Sequence, residues 1–326
     1  GTTDLGGATS ELVTFTSAPS LTNGVIGTWA VIGGPGLGDN SAHYAGYGGG
    51  SVVTATYSGT GDLDGLAGPT NVWDAGATPS LLTGDRSAFA FRTDANVALG
   101  GNTLSLGAGG QAGMILNAGA DVSGGTIHLG TNVLSVYADD AAVSTMGAAL
   151  TNYRNNVNNT LTSALIKFGP GTLELSGANT FQGNIQVNQG TLSLTAPNVI
   201  PVFENLNALT GATVTIQPGG TVALNGHNQE FGKFVTKQVR IKSNDPLVPL
   251  AEFTIQADVA GGTVILTVNG LTTNNGTLAA LNGGTLNLNS AVAGNVGSQI
   301  LAGVGSVVAQ NGVTVSGTVN AVGSGS

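Results

Sequence analysis

The chain has 326 residues, 54 of them Gly and none Cys, with 41% hydrophobic and only 8% charged positions. Mean hydropathy of +0.24 excludes the low-hydropathy, high-charge composition of a disordered chain, and the lack of Cys excludes a disulfide framework. A formal net charge of −9 argues against a nucleic-acid partner, which requires a basic face.

In chain order, residues 1–75 stand apart. Gly1 opens them with no basic-then-apolar leader, as in a processed chain whose signal peptide has gone. They hold both Trp (Trp29 and Trp73), three Tyr (Tyr44, Tyr47, Tyr57) and the glycine-dense Gly46–Gly50. An N-terminal capping and assembly region is expected here, because the open end of a stack of strands exposes core and unpaired backbone. From residue 76 to 326 one phrase recurs, Gly-Thr-apolar-x-apolar. It appears as Gly125-Thr126-Ile127-His128-Leu129, Gly171-Thr172-Leu173-Glu174-Leu175, Gly190-Thr191-Leu192-Ser193-Leu194, Gly220-Thr221-Val222-Ala223-Leu224 and Gly284-Thr285-Leu286-Asn287-Leu288. Looser copies stand at Gly101–Leu106, Gly262–Leu266 and Gly276–Leu278. Each copy sets two apolar side chains two apart, on one face of a strand. The span Asp139–Asn159 reads as extended with an Asn-rich loop, although Val143, Met146 and Leu150 also fit a short helix. Charge, Pro246 and Pro249 mark an irregular insertion near 228–256.

Asn-Gly pairs punctuate these regions, for example Asn23-Gly24, Asn225-Gly226 and Asn282-Gly283. They read as hairpin turns in an antiparallel protein or as corners in a coil. Spacing favours the coil: Gly171 and Gly190 are nineteen positions apart, Gly262 and Gly284 twenty-two. A coil of a three-sided parallel β-helix takes roughly 20–25 residues. The expected fold is all-β, a right-handed parallel β-helix (solenoid), with a β-sandwich as the alternative. No run approaches about eighteen apolar residues, and nine Phe, five Tyr and two Trp are too few for the aromatic girdles of a membrane barrel. The chain is expected not to span a membrane.

Ile166–Leu194 reads IKFGPGTLELSGANTFQGNIQVNQGTLSL. It resembles the autotransporter-associated β-strand repeat, also called the passenger-associated transport repeat. The residues that match are Lys167, Gly169, Gly171, Thr172, Leu173, Leu175, Gly177, Asn179, Thr180, Phe181, Gly183, Val187, Gly190, Thr191 and Leu192. The segments Asn23–Ile32 and Arg86–Ser135 resemble, more loosely, flanking parts of large bacterial surface proteins that carry this repeat. The resemblance implies a right-handed parallel β-helix, secreted or at the cell surface of a Gram-negative-type bacterium. It implies that the repeat serves export and folding and holds no catalytic residue.

Candidate sites are few. Asp62-x-Asp64-Gly65 with Asp74 nearby is a candidate Ca²⁺ site, set against an Asp-rich turn whose carboxylates cap backbone N–H groups; no other cofactor is expected. Thr93-Asp94, Asp139-Asp140, Gly226-His227 and Arg240-Ile241-Lys242 follow the order of elements in polygalacturonase-like hydrolases, which are β-helices. Acid–base chemistry on a sugar needs carboxylates that converge. The Asp pair and His227 are 87 residues apart, several coils along a solenoid, so the chain is expected not to be an enzyme. His43, His128 and His227 are too scattered to suggest a metal set. Asn179, Asn188 and Asn198 fall at corners, either as an amide ladder that fixes register or as turn residues.

Lys233, Lys237, Arg240 and Lys242 crowd into ten residues, whereas acids dominate before Asp140. The two patches form a candidate head-to-tail contact between copies of the chain. The sequence therefore points to an extracellular structural protein that self-assembles into a filament or surface layer. The alternatives are a passenger-type adhesin for a surface glycan or matrix and, behind it, a polysaccharide-active enzyme.

Overall fold

The computed structural model describes residues 13–33, 41–139, 142–152, 163–205, 208–211, 213–217 and 219–224, and then a series of short segments: 229–231, 233–236, 254–257, 265–268, 272–274, 277–280, 285–288, 291–294, 299–302, 307–310 and 318–321. Two compact units are distinguished, Gly1–Arg154 with Phe168–Thr172, and Asn155–Lys167 with Leu173–Ser326. Among the described residues no helix is long and apolar enough to cross a membrane.

In the first unit the chain visits three parallel sheets in turn. The first face stacks Gly59–Thr60, Val72–Asp74, Ala90–Thr93, Gln111–Leu116 and Val133–Ala138. The second stacks Ser80–Leu81, Val97–Ala98, Asp121–Ser123 and Ser144–Met146; the third stacks Arg86–Ala88, Thr103–Leu106, Thr126–His128 and Ala149–Thr151. Like meets like in the ladders. Thr103 pairs with Thr126 and Leu104 with Ile127, twenty-three positions along, and Ile127 with Leu150. Leu104, Ile127 and Leu150 are fully buried, so the inward residue of the Gly-Thr-Leu phrase becomes one column of core, each side chain contributing about 1.5–3 kcal/mol by burial. These parallel ladders make a β-solenoid and rule out the antiparallel sandwich.

The second unit repeats the plan. One sheet runs from Ser163–Phe168 through Asn184–Val187, Thr213–Ile216, Lys233–Thr236 and Thr272–Asn274 to Val292–Gly294. Another takes the phrase itself: Gly190 pairs with Gly220, Thr191 with Thr221 and Leu192 with Val222, and the backbone register continues through Ile255, Leu278, Ile300 and Val319. A third holds Gln229–Phe231, Ile265–Val268, Thr285–Leu288 and Val307–Gln310. A short antiparallel hairpin, Val202–Asn205 with Ala208–Gly211, interrupts the coils.

Two boundaries differ from the sequence-based expectation and one agrees with it. The span 228–256 is not all insertion, since 229–231, 233–236 and 254–257 are ladder strands. Residues 144–146 and 149–151 are extended, as read. The parallel ladder starts at Gly59, inside the region assigned to the cap, and there Trp73 packs its ring on the backbone of Gly59 and Gly65 while its Nε1 donates to Gly61 O at 2.8 Å.

The rest of that region does not sit over the end of the coil. Val31–Gly33, Ala42–Gly48 and Ser51–Thr54 form an antiparallel sheet that lies along the side, covering the outer surface of the first face. The Asn23–Gly24 pair makes a tight turn with both residues at positive φ, closed by Thr22–Val25 hydrogen bonds. The physical reason is the first face's outward columns, Val72–Ala90–Gly113–Ser135 and Asp74–Arg92–Ile115–Tyr137. Apolar members of these columns require a cover, and Val25, Ala42, Tyr44 and Ala55 supply it. Gly113 lets the two sheets meet: a Cβ there would stand 2.6 Å from the Tyr44 hydroxyl and 2.9 Å from Thr28 Cβ.

Candidate functional site

The repeat is a piece of architecture. From 165 to 187 every odd-numbered residue is buried and no even-numbered one is, so strand-like alternation runs unbroken through the turns. Leu173, Leu175, Ile185, Val187, Leu192 and Leu194 are fully buried and Phe181 nearly so. Gly169 adopts φ 80, and a Cβ on it would stand 2.6 Å from Ala138 O; no L side chain fits. Residues 176–183 carry the chain between two strands by a loop. That loop is anchored by Asn179, whose Nδ2 donates to Val199 O at 2.8 Å.

Lys167 shares the inward parity. It is buried, and its Nζ donates to Gln189 O at 3.1 Å. Burial holds its pKa down to about 8, since removing water disfavours the ammonium.

The corner amides do not form a ladder of their own. Asn179 bonds a carbonyl, Asn188 Oδ1 accepts from Gln186 Nε2 at 2.6 Å, and Asn198 takes φ 51. Two corners that sequence reasoning passed over share one wording, Leu99-Gly100-Gly101-Asn102 and Leu129-Gly130-Thr131-Asn132. In each, the Asn Nδ2 donates to the Leu carbonyl three residues back, at 3.0 and 2.8 Å. The same nitrogen also reaches the preceding coil, at Leu82 O (2.8 Å) and Leu106 O (3.2 Å) respectively.

The three candidate calcium carboxylates have separate tasks. Asp62 Oδ1 accepts from Asp64 N at 2.9 Å, capping a 3₁₀ turn at Leu63–Gly65. Asp64 accepts from Thr83 N and Oγ1 and pairs with Arg86 Nη2 at 2.7 Å. The Thr83 hydrogen bonds first, and then Arg86, hold its carboxyl below the usual range. Asp74 accepts from Gly76 N and from Arg92 Nη1. Among the described residues no three His, Asp or Glu side chains gather as a metal set.

Of the hydrolase-like elements, Thr93-Asp94 and Asp139 lie among the described residues. Asp94 pairs with Arg92 and with Asn117, and Asp139 Oδ2 accepts from Ala118 N at 2.9 Å. Asp140, Gly226, His227, Arg240, Ile241 and Lys242 lie outside the described residues. Of the basic cluster, Lys233 lies on a ladder strand and Lys237, Arg240 and Lys242 also fall outside.

The most elaborate polar network fastens the covering sheet to the solenoid. Arg92, 2% exposed, bonds Asp74 at 2.7 Å and Asp94 at 2.5 and 2.6 Å. Burial weakens its charge, but the two carboxylates more than restore it and its pKa is raised. Asp94 accepts from Asn117 Nδ2 at 2.8 Å. Asn117 then grips the cover, accepting from Ala42 N and donating to Ala42 O, both at 3.2 Å. Tyr44 Oη adds a bond to Phe91 O at 3.1 Å, and burial pushes that phenol well above its ordinary pKa.

Among the described residues, the covering sheet and the segment leading into it carry most of the exposed large apolar side chains. Val13, Phe15, Leu21, Trp29 and Val53 are exposed, Trp29 at 62%, and elsewhere among the described residues only Leu81, Val143 and Val307 match them. Phe15 packs edge-on against Tyr47, with centroids 5.7 Å apart.

These features describe a β-solenoid carrying an export-type repeat: residues 165–194 match the Passenger-associated-transport-repeat family. Over 175 residues, half of this chain, the sequence is 30% identical to the "Adhesin BmaC autotransporter" of Brucella suis biovar 1 (strain 1330). The chain spans 4% of that protein's length. No solved structure matches.

Proposed function

We propose that this chain is part of a passenger displayed on the surface of a Gram-negative bacterium, and that it acts as an adhesin. The solenoid is a scaffold whose coils wind right-handed, as parallel strand crossovers nearly always do, and the laterally docked sheet presents the contact surface. The observation that carries this reading is the gathering of exposed apolar and aromatic residues on residues 13–53, since exposed apolar groups that cluster mark interaction sites. The match to an adhesin passenger supports it. A non-catalytic role is part of the reading, supported by the structural engagement of Asp94 and Asp139.

The test is attachment of the purified full chain, coupled to beads, to matrix-coated and cell-coated surfaces. Attachment that falls severalfold on Trp29→Ser with Phe15→Ser supports the reading; beads that bind no better than uncoated ones overturn it. Self-assembly into a filament is the second reading and rests on charge asymmetry alone. Reversal of Lys233, Lys237, Arg240 and Lys242 to Glu abolishes salt-sensitive polymers if that contact exists.

A further inference from the structure

At the third face of the first unit an open cleft of about 340 Å³ is lined by Leu66, Ala67, Asp85, Arg86, Ser87 and Ser105. Its size is at the lower end for small-molecule sites, room for one ring. Its walls are held. Asn71 Oδ1 accepts from both Ala67 N and Gly68 N. Each guanidinium nitrogen of Arg86 has a partner, with Nε on Asp64 O, Nη1 on Asp85 O and Nη2 on the Asp64 carboxylate.

What remains open is a particular set of groups. Ser87 and Ser105 pair in register on neighbouring strands, so the two residues sit side by side about 4.8 Å apart along the ladder. Neither hydroxyl has a hydrogen-bond partner among the described residues. Asp85 gives one carboxylate oxygen to Thr103 N at 2.8 Å and leaves the other open. Two hydroxyls that donate or accept, one charged acceptor and a small apolar wall from Leu66 and Ala67 form one rigid constellation.

An anion is disfavoured, because Arg86 is already neutralised by Asp64 while Asp85 is not. A metal ion lacks the ligand set. A ligand with several hydroxyls on one side and C–H groups on the other matches each wall. We propose that this cleft is a subsite for one neutral saccharide residue, an inference that rests on the adhesin reading and gives it a ligand class.

The experiment is ligand-observed saturation-transfer NMR on the full chain with glucose, galactose, mannose, fucose and N-acetylglucosamine, run beside the bead-attachment assay. The expected result is transfer to at least one sugar, with affinity lowered roughly tenfold by Ser105→Leu, which fills the cleft, and severalfold by Ser87→Ala. Thermal unfolding of each variant should match the parent chain. Transfer to none of the five, or transfer unchanged by Ser105→Leu, overturns the subsite. Attachment that persists without sugar binding sinks the cleft alone, whereas absence of attachment sinks the adhesin reading as well.

Discussion

Replacing Asn117 with Ala should open the covering sheet while leaving the solenoid beneath it folded. The Asn117 side chain is 1% exposed and makes three hydrogen bonds, two to the Ala42 backbone at 3.2 Å and one to the Asp94 carboxylate at 2.8 Å. Neutral hydrogen bonds contribute about 0.5–1.5 kcal/mol and those to a charged group about 1.5–3. With the two longer bonds at the low end, the loss is about 3 kcal/mol. That cost falls on docking of the cover, because Asp94 keeps Arg92 and the inward columns are untouched. Hydrogen exchange reads the difference residue by residue. Amides of Tyr44 and Ala45 should exchange roughly a hundredfold faster, at 1.4 kcal/mol per tenfold, while Met114 and Leu134 keep their protection. Equal acceleration in both groups, or none in either, would refute the separation of cover from coil.

Two further outcomes follow from the second unit. Lys167 has a folded pKa of about 8 against an ordinary 10.5. Between those values the unfolded chain holds the extra proton, so stability rises with pH by about 1.4 kcal/mol per unit across the window and the burial penalty is fully present at neutral pH. Urea midpoints taken from pH 7 to 10 should climb for the parent chain relative to Lys167→Met; parallel curves would mean that the ammonium is not desolvated. Phe181→Ala removes a ring that is 1% exposed from a loop and should cost about 3–5 kcal/mol in denaturant unfolding, as much as a strand residue. A loss below about 1 kcal/mol would show that the loop is not part of the core.

Coil architecture was legible because its signal is local. Gly190-Thr191-Leu192 and Gly220-Thr221-Val222 state the same alternation, and parallel stacking sets them side by side. The lateral cover was not legible from periodicity, but a trace existed. In Gln111–Leu116 both parities carry apolar residues, Met114 inward and Ile115 outward, and a strand apolar on both faces is covered on both. The partners of the carboxylates were not legible because they are remote: Asp64 answers to Thr83 and Arg86, about twenty residues on, outside any motif window. The burial of Lys167 was legible in parity alone, since its odd number places it with Leu165 and Leu173.

The corner amides give the coil a direction in which it can be dismantled. Asn102 and Asn132 each donate a hydrogen bond to a carbonyl of the turn before their own. Trimming the first unit from its C-terminal side takes donors away together with the turns that own them and leaves the earlier acceptors open to water. Trimming from the other side strips the acceptors and leaves each amide with only the bond to the Leu carbonyl of its own corner. A protease working inward from the two ends would therefore meet unequal resistance.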